Sequence, residues 1–138
     1  EKEGFEITLL DVYENGLVRV EDVKNAIKDD TALVTIMYAN NEIGTIQPIK
    51  KLAEIAHNHG IYFHTDAVQA VAHVEIDVKD LGVDMLSMSA HKFYGPKGVG
   101  ALYVRSGLEF EKIINGGHQE KGKRAGTGRT VEYFIVVK

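Results

Sequence analysis

The sequence contains no cysteine. These residues therefore supply no disulfide, no thiolate metal site and no cysteine nucleophile. Long apolar runs are missing as well. The longest, around Ala32 to Ala39, falls far short of the ~20 residues that span a bilayer, and no charged-then-apolar leader opens the chain. Nor is charge of one sign concentrated anywhere. Lys and Arg number 16 against 20 Asp and Glu, leaving a formal charge of −4 spread along the chain. That balance argues against a nucleic acid or an anionic membrane as the main partner, and a cytoplasmic or organellar-matrix location is the expectation. Internal repeats and low-complexity tracts are lacking, and no linker-like segment occurs before about residue 106. What remains is a chain of 138 residues, 44% hydrophobic and 26% charged. This is the composition of a soluble globular domain able to bury roughly two-thirds of its unfolded surface. It begins at Glu1 and enters a strand-like pattern at once, so a piece of a longer protein is expected.

Phe5, Ile7 and Leu9 alternate with polar neighbours, the period-two signal of a half-exposed strand. Asn15-Gly16 marks a turn. Val20, Val23 and Ile27 fall at helical spacing, with Glu21 and Asp22 in the first turn where the helix dipole favours acids. This short helix should end near Asp29. Leu33 to Met37 is a continuous apolar and β-branched run, the pattern of a parallel strand buried on both faces. Pro48 suits a helix first turn; Ile49, Leu52, Ala53 and Ala56 then draw one apolar face until Gly60 stops it. Further strands are read at Ile61 to Thr65, Met85 to Met88 and Val99 to Val104, with a helical turn at Val78 to Leu81 and a glycine-rich turn at Gly95-Pro96-Lys97-Gly98. The alternation predicts an α/β fold with a largely parallel sheet and flanking helices. Residues 1–105 hold the sheet and helices; 106–138 read as a glycine-rich basic loop and an irregular tail, the apolar stretch Thr130 to Val137 showing no clear period.

Ligands of open α/β sheets sit outside the carboxyl ends of parallel strands. Asn40, Asn41 and Glu42 follow the strand ending at Met37; Asp66 and Gln69 follow Thr65; Ser89, His91 and Lys92 follow Met88. One rim would thus receive an amide, a carboxylate and a hydroxyl–imidazole–amine cluster. An amine among backbone donors can condense with an aldehyde, and a carboxylate can keep a ring nitrogen protonated so that the ring draws electrons. Those are the needs of pyridoxal 5'-phosphate (PLP), with Ser89 and His91 as candidate phosphate ligands. Plainer readings stand beside this one. A lone lysine after a strand is ordinarily a solvated charge, Asp66 before Ala67-Val68-Gln69-Ala70 suits a helix N-cap, and Ser89 suits a cap or a buried hydroxyl. His57, His59 and His64 with Asp66 could be read as a metal cluster, but they fall on a helix end and a strand, and no metal site is assigned.

The segments YANNEIGTIQPI, FHTDAVQAV, SMSAHKFYGPKGVGALYVR and NGGHQEKGKRAGT closely resemble the cysteine desulfurases of the nitrogen-fixation and iron–sulfur-assembly type. These belong to the class V aminotransferase group of fold-type-I PLP enzymes. The resemblance covers about residues 1 to 127 and implies that the chain is a central fragment of the PLP-binding large domain. It further implies that Lys92 is the catalytic, Schiff-base lysine, that Asp66 faces the pyridine nitrogen and that Gln69 bonds the ring's phenolic oxygen. Asn41 would lie beside the cofactor oxygen and substrate carboxylate, Ser89 and His91 would bind phosphate, and Thr127 would reach the phosphate of a neighbouring subunit in a homodimer. The implied reaction converts L-cysteine to L-alanine and leaves a persulfide on an enzyme cysteine, for delivery to an iron–sulfur scaffold or another sulfur acceptor.

Three departures qualify the resemblance. The persulfide-carrying cysteine, which the family keeps on a loop beyond this segment, is absent. So is the earlier part of the large domain, with its glycine/threonine-rich phosphate loop and ring-stacking histidine. After Thr127, Gly128-Arg129-Thr130 stands where the family continues with Glu-Asn and a helix. The expected outcome is a chain inactive by itself. Other class V activities (selenocysteine lyase, kynureninase, an aminotransferase) and a non-catalytic, partner-binding remnant are the alternatives.

Overall fold

A computed structural model describes residues 4–109, 116–119, 122 and 125, and the backbone of 133–137. The chain alternates short helices and strands: α1 (Val20–Ala26), β1 (Leu33–Met37), α2 (Ile49–Asn58), β2 (Tyr62–Asp66), α3 (Val78–Leu81), β3 (Met85–Ser89), a 3-10 helix (Ala90–Phe93), β4 (Gly100–Val104) and β5 (Tyr133–Val137). The strands form one sheet in the order β1-β2-β3-β4-β5. β1, β2 and β3 run parallel, β4 is antiparallel to β3, and β5 is parallel to β4. The fold is therefore α/β with a mostly parallel sheet. The final segment, whose pattern suggested an irregular tail, contributes β5.

Side-chain alternation along the strands divides the sheet into two faces. Val34 and Ile36, Phe63 and Thr65, Leu86, and Tyr103 share one face, paired across the strands by register. Against it lies α2, whose Ile49, Leu52, Ala53 and Ala56 are buried as their spacing predicts. Val18, just before α1, and Val23, within it, join this core. The other face carries Leu33, Thr35 and Met37, then Tyr62, His64 and Asp66, then Met85, Ser87 and Ser89. It is much more open, with Leu33 46% exposed and Met37 and Tyr62 also exposed.

Two readings of the sequence are corrected here. Leu33 to Met37 is parallel but not buried on both faces. Among the described residues β1 has one strand neighbour, β2, and its burial alternates, with Leu33, Thr35 and Met37 exposed and Ile36 buried. Phe5 to Leu9 is not a strand: the segment pairs with nothing among the described residues, and Phe5 and Leu9 are 70% and 88% exposed. Alternation makes a strand only where another strand offers backbone groups to pair with, and among the described residues none is offered to this segment.

One buried acid ties the layers together. Asp84, its side chain fully buried, accepts from the Phe63 N–H (2.8 Å) and Arg105 Nε (2.7 Å), and shares a 2.8 Å hydrogen bond with His57 Nε2. It thereby joins α2, the start of β2 and the end of β4. Burial pushes its pKa up, but the three hydrogen bonds and the attraction of His57 outweigh burial, and the carboxyl sits below its ordinary range.

Candidate active site

The carboxyl ends of β1, β2 and β3 meet at one rim because Met37 pairs with Asp66 and Asp66 with Ser87. Neighbouring strands lie about 4.8 Å apart, so residues just past these ends are brought close however far apart they stand in sequence. The chain continuing from each strand is then held by backbone bonds: Tyr38 N–H to Asp66 O (2.8 Å), Ala67 N–H to Ser87 O (3.0 Å) and Ala90 N–H to Val99 O (3.0 Å).

Asp66 closes β2 half-buried. Its Oδ1 accepts from the Val68 N–H at 2.9 Å, the bond expected of a cap, but the chain beyond it runs through a series of turns to His73 and forms no helix there. Oδ2 meets no donor among the described residues. Gln69 lies on these turns, half-buried, with no side-chain hydrogen bond among the described residues. Past β1, Asn40 rather than Asn41 does the structural work. Asn40 Oδ1 accepts from the Glu42 and Ile43 N–H groups (2.9 and 3.2 Å), and the Ala39–Ile46 bridge closes the loop. Asn41 is left exposed on the same rim.

Lys92 sits on the 3-10 helix immediately after β3. The excursion from Ala90 to Val99 is fastened at its neck by the Ala90–Val99 bond and the Ser89–Gly100 pairing, and again inside by the Gly95 N–H to Ala90 O bond of 2.8 Å. Gly95 has no room for a side chain: a Cβ there would meet Ala90 Cβ at 2.7 Å and Ala90 O at 2.9 Å. Tyr94 ends the 3-10 helix in the left-handed region (φ 65°), a conformation costly for an aromatic residue. A hydrogen bond from His73 Nε2 to the Lys92 carbonyl oxygen (3.2 Å) docks the Asp66 turns onto this helix. The Lys92 amine has neither a hydrogen-bond nor an ion-pair partner among the described residues. Ser89 caps nothing. Its Oγ and His91 Nδ1 are joined at 2.8 Å, which leaves Nε2 of an exposed imidazole open.

The structure thus brings Asp66, Gln69, Ser89, His91 and Lys92 to one rim and sets Asn41 beside them. Thr127 lies outside the described residues. The three histidines that could have suggested a metal are dispersed: His57 on Asp84, His59 on the Ile55 carbonyl, His64 between two hydroxyls. A surface groove lined by Ile27, Thr31, His59 and Ile61 among others opens at the amino ends of β1 and β2, away from this rim.

What the sequence reading did not single out is the row beneath Asp66. Thr35 Oγ1 and His64 Nδ1 share a 2.7 Å hydrogen bond, and His64 Nε2 and Ser87 Oγ one of 2.8 Å. The available signal was the shared parity of Thr35, His64 and Ser87 with the strand ends.

Among the described residues, a lysine amine without a partner, a carboxylate with one oxygen unbonded, and a hydroxyl–imidazole pair thus stand at the carboxyl ends of parallel strands. The chain belongs to the class-V aminotransferase family, which matches residues 1–132. It is 64% identical over 130 residues to the cysteine desulfurase IscS of Clostridium botulinum, covering 94% of this chain and 33% of that protein. To the cysteine desulfurase IscS of Dictyoglomus turgidum it is 61% identical over 127 residues, covering 92% and 32%. Among solved structures, SspA in complex with cysteine superposes with a TM-score of 0.88 at 48% identity, over 92% of this chain and 37% of that one. A NifS-like protein superposes with a TM-score of 0.86 at 41% identity, over 94% and 36%. The chain therefore spans about a third of the length of these relatives. Among the described residues no helix is long and apolar enough to cross a membrane.

Proposed function

We propose that this chain carries the lysine-bearing part of the PLP site of a cysteine desulfurase. Such an enzyme converts L-cysteine to L-alanine and passes the sulfur to a cysteine outside these residues, from which an iron–sulfur scaffold or another acceptor draws it. One observation carries the reading: among the described residues the Lys92 amine has no partner, and it shares a rim with an Asp66 carboxylate that has one oxygen unbonded. The donor set fits the cofactor. Lys92 supplies the amine for its aldehyde, Asp66 the countercharge for its ring nitrogen, Gln69 a donor for its phenolic oxygen, and Ser89 with His91 donors for its phosphate. Asn41, exposed on the same rim, would serve a substrate carboxylate or the cofactor oxygen, and Thr127 the phosphate of a partner subunit in a homodimer.

PLP, when bound, supplies the electron sink for the carbanion left when the substrate loses its α-proton. Asp66 sustains that sink by favouring the charged ring. The Lys92 amine would be the base that takes the α-proton and the acid that returns one. Ser89 and His91 would hold the phosphate end, and so keep the cofactor oriented toward the Lys92 loop.

The test is a PLP titration followed by absorbance. The chain is expected to develop a band near the visible edge that Lys92→Ala does not; identical spectra for the two proteins would refute the lysine assignment. Lacking a cysteine, the chain alone is expected to release no alanine from L-cysteine.

A further inference from the structure

His64 stands at the centre of the open sheet face, two residues before Asp66 on the same strand and so on the same side. Its ring spans the sheet. Nδ1 is bonded to Thr35 on β1 and Nε2 to Ser87 on β3, at 2.7 and 2.8 Å. Each parallel pairing is thus reinforced by a side-chain bond next to the rim, where the backbone ladder is about to end. Ser87 is also the register partner of Asp66, and its carbonyl receives the Ala67 N–H. The residue that holds His64 therefore also bonds the backbone next to the carboxylate.

We propose that His64 is a positioning residue for the cofactor site: by gripping Thr35 and Ser87 it locks the ends of β1, β2 and β3 together and holds the Asp66 carboxylate at a fixed place on the rim. This rests on the PLP reading for its purpose but not for its geometry. A neutral imidazole offers one donor and one acceptor, and a hydroxyl can answer either, so both ring bonds are satisfied in a single tautomer. Burial holds the ring's pKa below the ordinary histidine value, against the opposing pull of Asp66. On the facing strands its neighbours of like orientation, besides the bonded Thr35 and Ser87, are Leu33 and Met37 on β1 and Met85 on β3, none of which titrates. A neutral His64 does not compete as a cation for the Asp66 charge, which stays available to a protonated ring nitrogen.

Two measurements on the chain test this. Imidazole nitrogen NMR of the cofactor-free protein is expected to show His64 as one fixed neutral tautomer between pH 6 and 8, about the range in which an ordinary histidine titrates; a ring that titrates or averages both tautomers there overturns the proposal. In PLP titrations His64→Phe, and separately Thr35→Val with Ser87→Ala, are each expected to weaken binding about tenfold. The pH midpoint of the visible-edge band should rise by about a unit, because a poorly placed Asp66 leaves the ring less electron-withdrawing. Loss of folding alone would not move that midpoint, and the hydroxyl variant keeps the test open where His64→Phe fails to fold. Unchanged affinity and midpoint in folded variants overturn the role. If the unaltered chain forms no band, the PLP reading fails, and the proposal fails with it as far as the cofactor is concerned, while the NMR result still decides whether the lock exists.

Discussion

Replacing Asp84 with alanine removes a side chain that three separate elements share. The Phe63 N–H is left buried without an acceptor, worth about 1–3 kcal/mol. The bonds from Arg105 and His57 are lost with the charge, at about 1.5–3 kcal/mol each where a charged partner is involved. Those two partners are not stranded, however: their side chains are 53% and 39% exposed and recover water. The net cost should therefore fall at about 3–5 kcal/mol, the range for breaking a buried charge pair. With a denaturant slope of about 2 kcal/mol/M, this moves the urea midpoint down by roughly 2 M. The pH dependence supplies an independent check. Because the folded state holds the Asp84 pKa below its unfolded value, its contribution is complete above the unfolded pKa of about 3.9 and is lost as pH falls through the folded one. Urea titrations at pH 7, 5, 4 and 3 should show the gap between the original chain and Asp84→Ala constant at the first two values and narrowing below. A gap under about 1 kcal/mol at pH 7, or one of unchanged size at pH 3, would refute the account of Asp84 as an ionised clasp.

Two other substitutions probe the scaffold of the site. Gly95→Ala forces a Cβ against Ala90 backbone and side-chain atoms, so it is expected to cost about 1–3 kcal/mol and to weaken PLP binding, read from thermal melting and the same absorbance titration. Gln47→Leu strands the buried Val18 N–H and Gly16 carbonyl that the amide now satisfies at 3.0 and 2.8 Å. A loss of about 2–4 kcal/mol is expected in urea unfolding, with little change in the visible-edge band, because Gln47 lies outside the lysine loop and the Asp66 turns.

Local regularity was the legible part of this chain. The spacing of Ile49, Leu52, Ala53 and Ala56, bounded by Pro48 and Gly60, is realised as α2, since a helix face depends only on near neighbours. The strand runs and the rim of polar residues beyond them were legible for the same reason. What escaped depends on partners distant in sequence. Asp84 lies between Val83 and Met85 with nothing local to announce that Arg105 and His57, 21 and 27 positions away, converge on it. His64 meets partners 29 and 23 positions away. β1 looked like a strand covered on both faces because its residues could be, and whether they are depends on what lies beside it. The alternation of Phe5, Ile7 and Leu9 was genuine, but alternation carries no information about whether a neighbouring strand exists.

The fastening of the Ala90–Val99 excursion has a thermodynamic meaning for any ligand of Lys92. A lysine on a free loop would have to give up backbone freedom on binding, at about 1–2 kcal/mol per residue fixed. Here the 3-10 helix, the left-handed Tyr94 and the close contact at Gly95 take up that entropy loss when the chain folds. Only the four-carbon stem of Lys92 remains to be ordered. Affinity at this rim is therefore set largely before a ligand arrives, and substitutions that loosen the loop should act on it without touching a single ligand-facing atom.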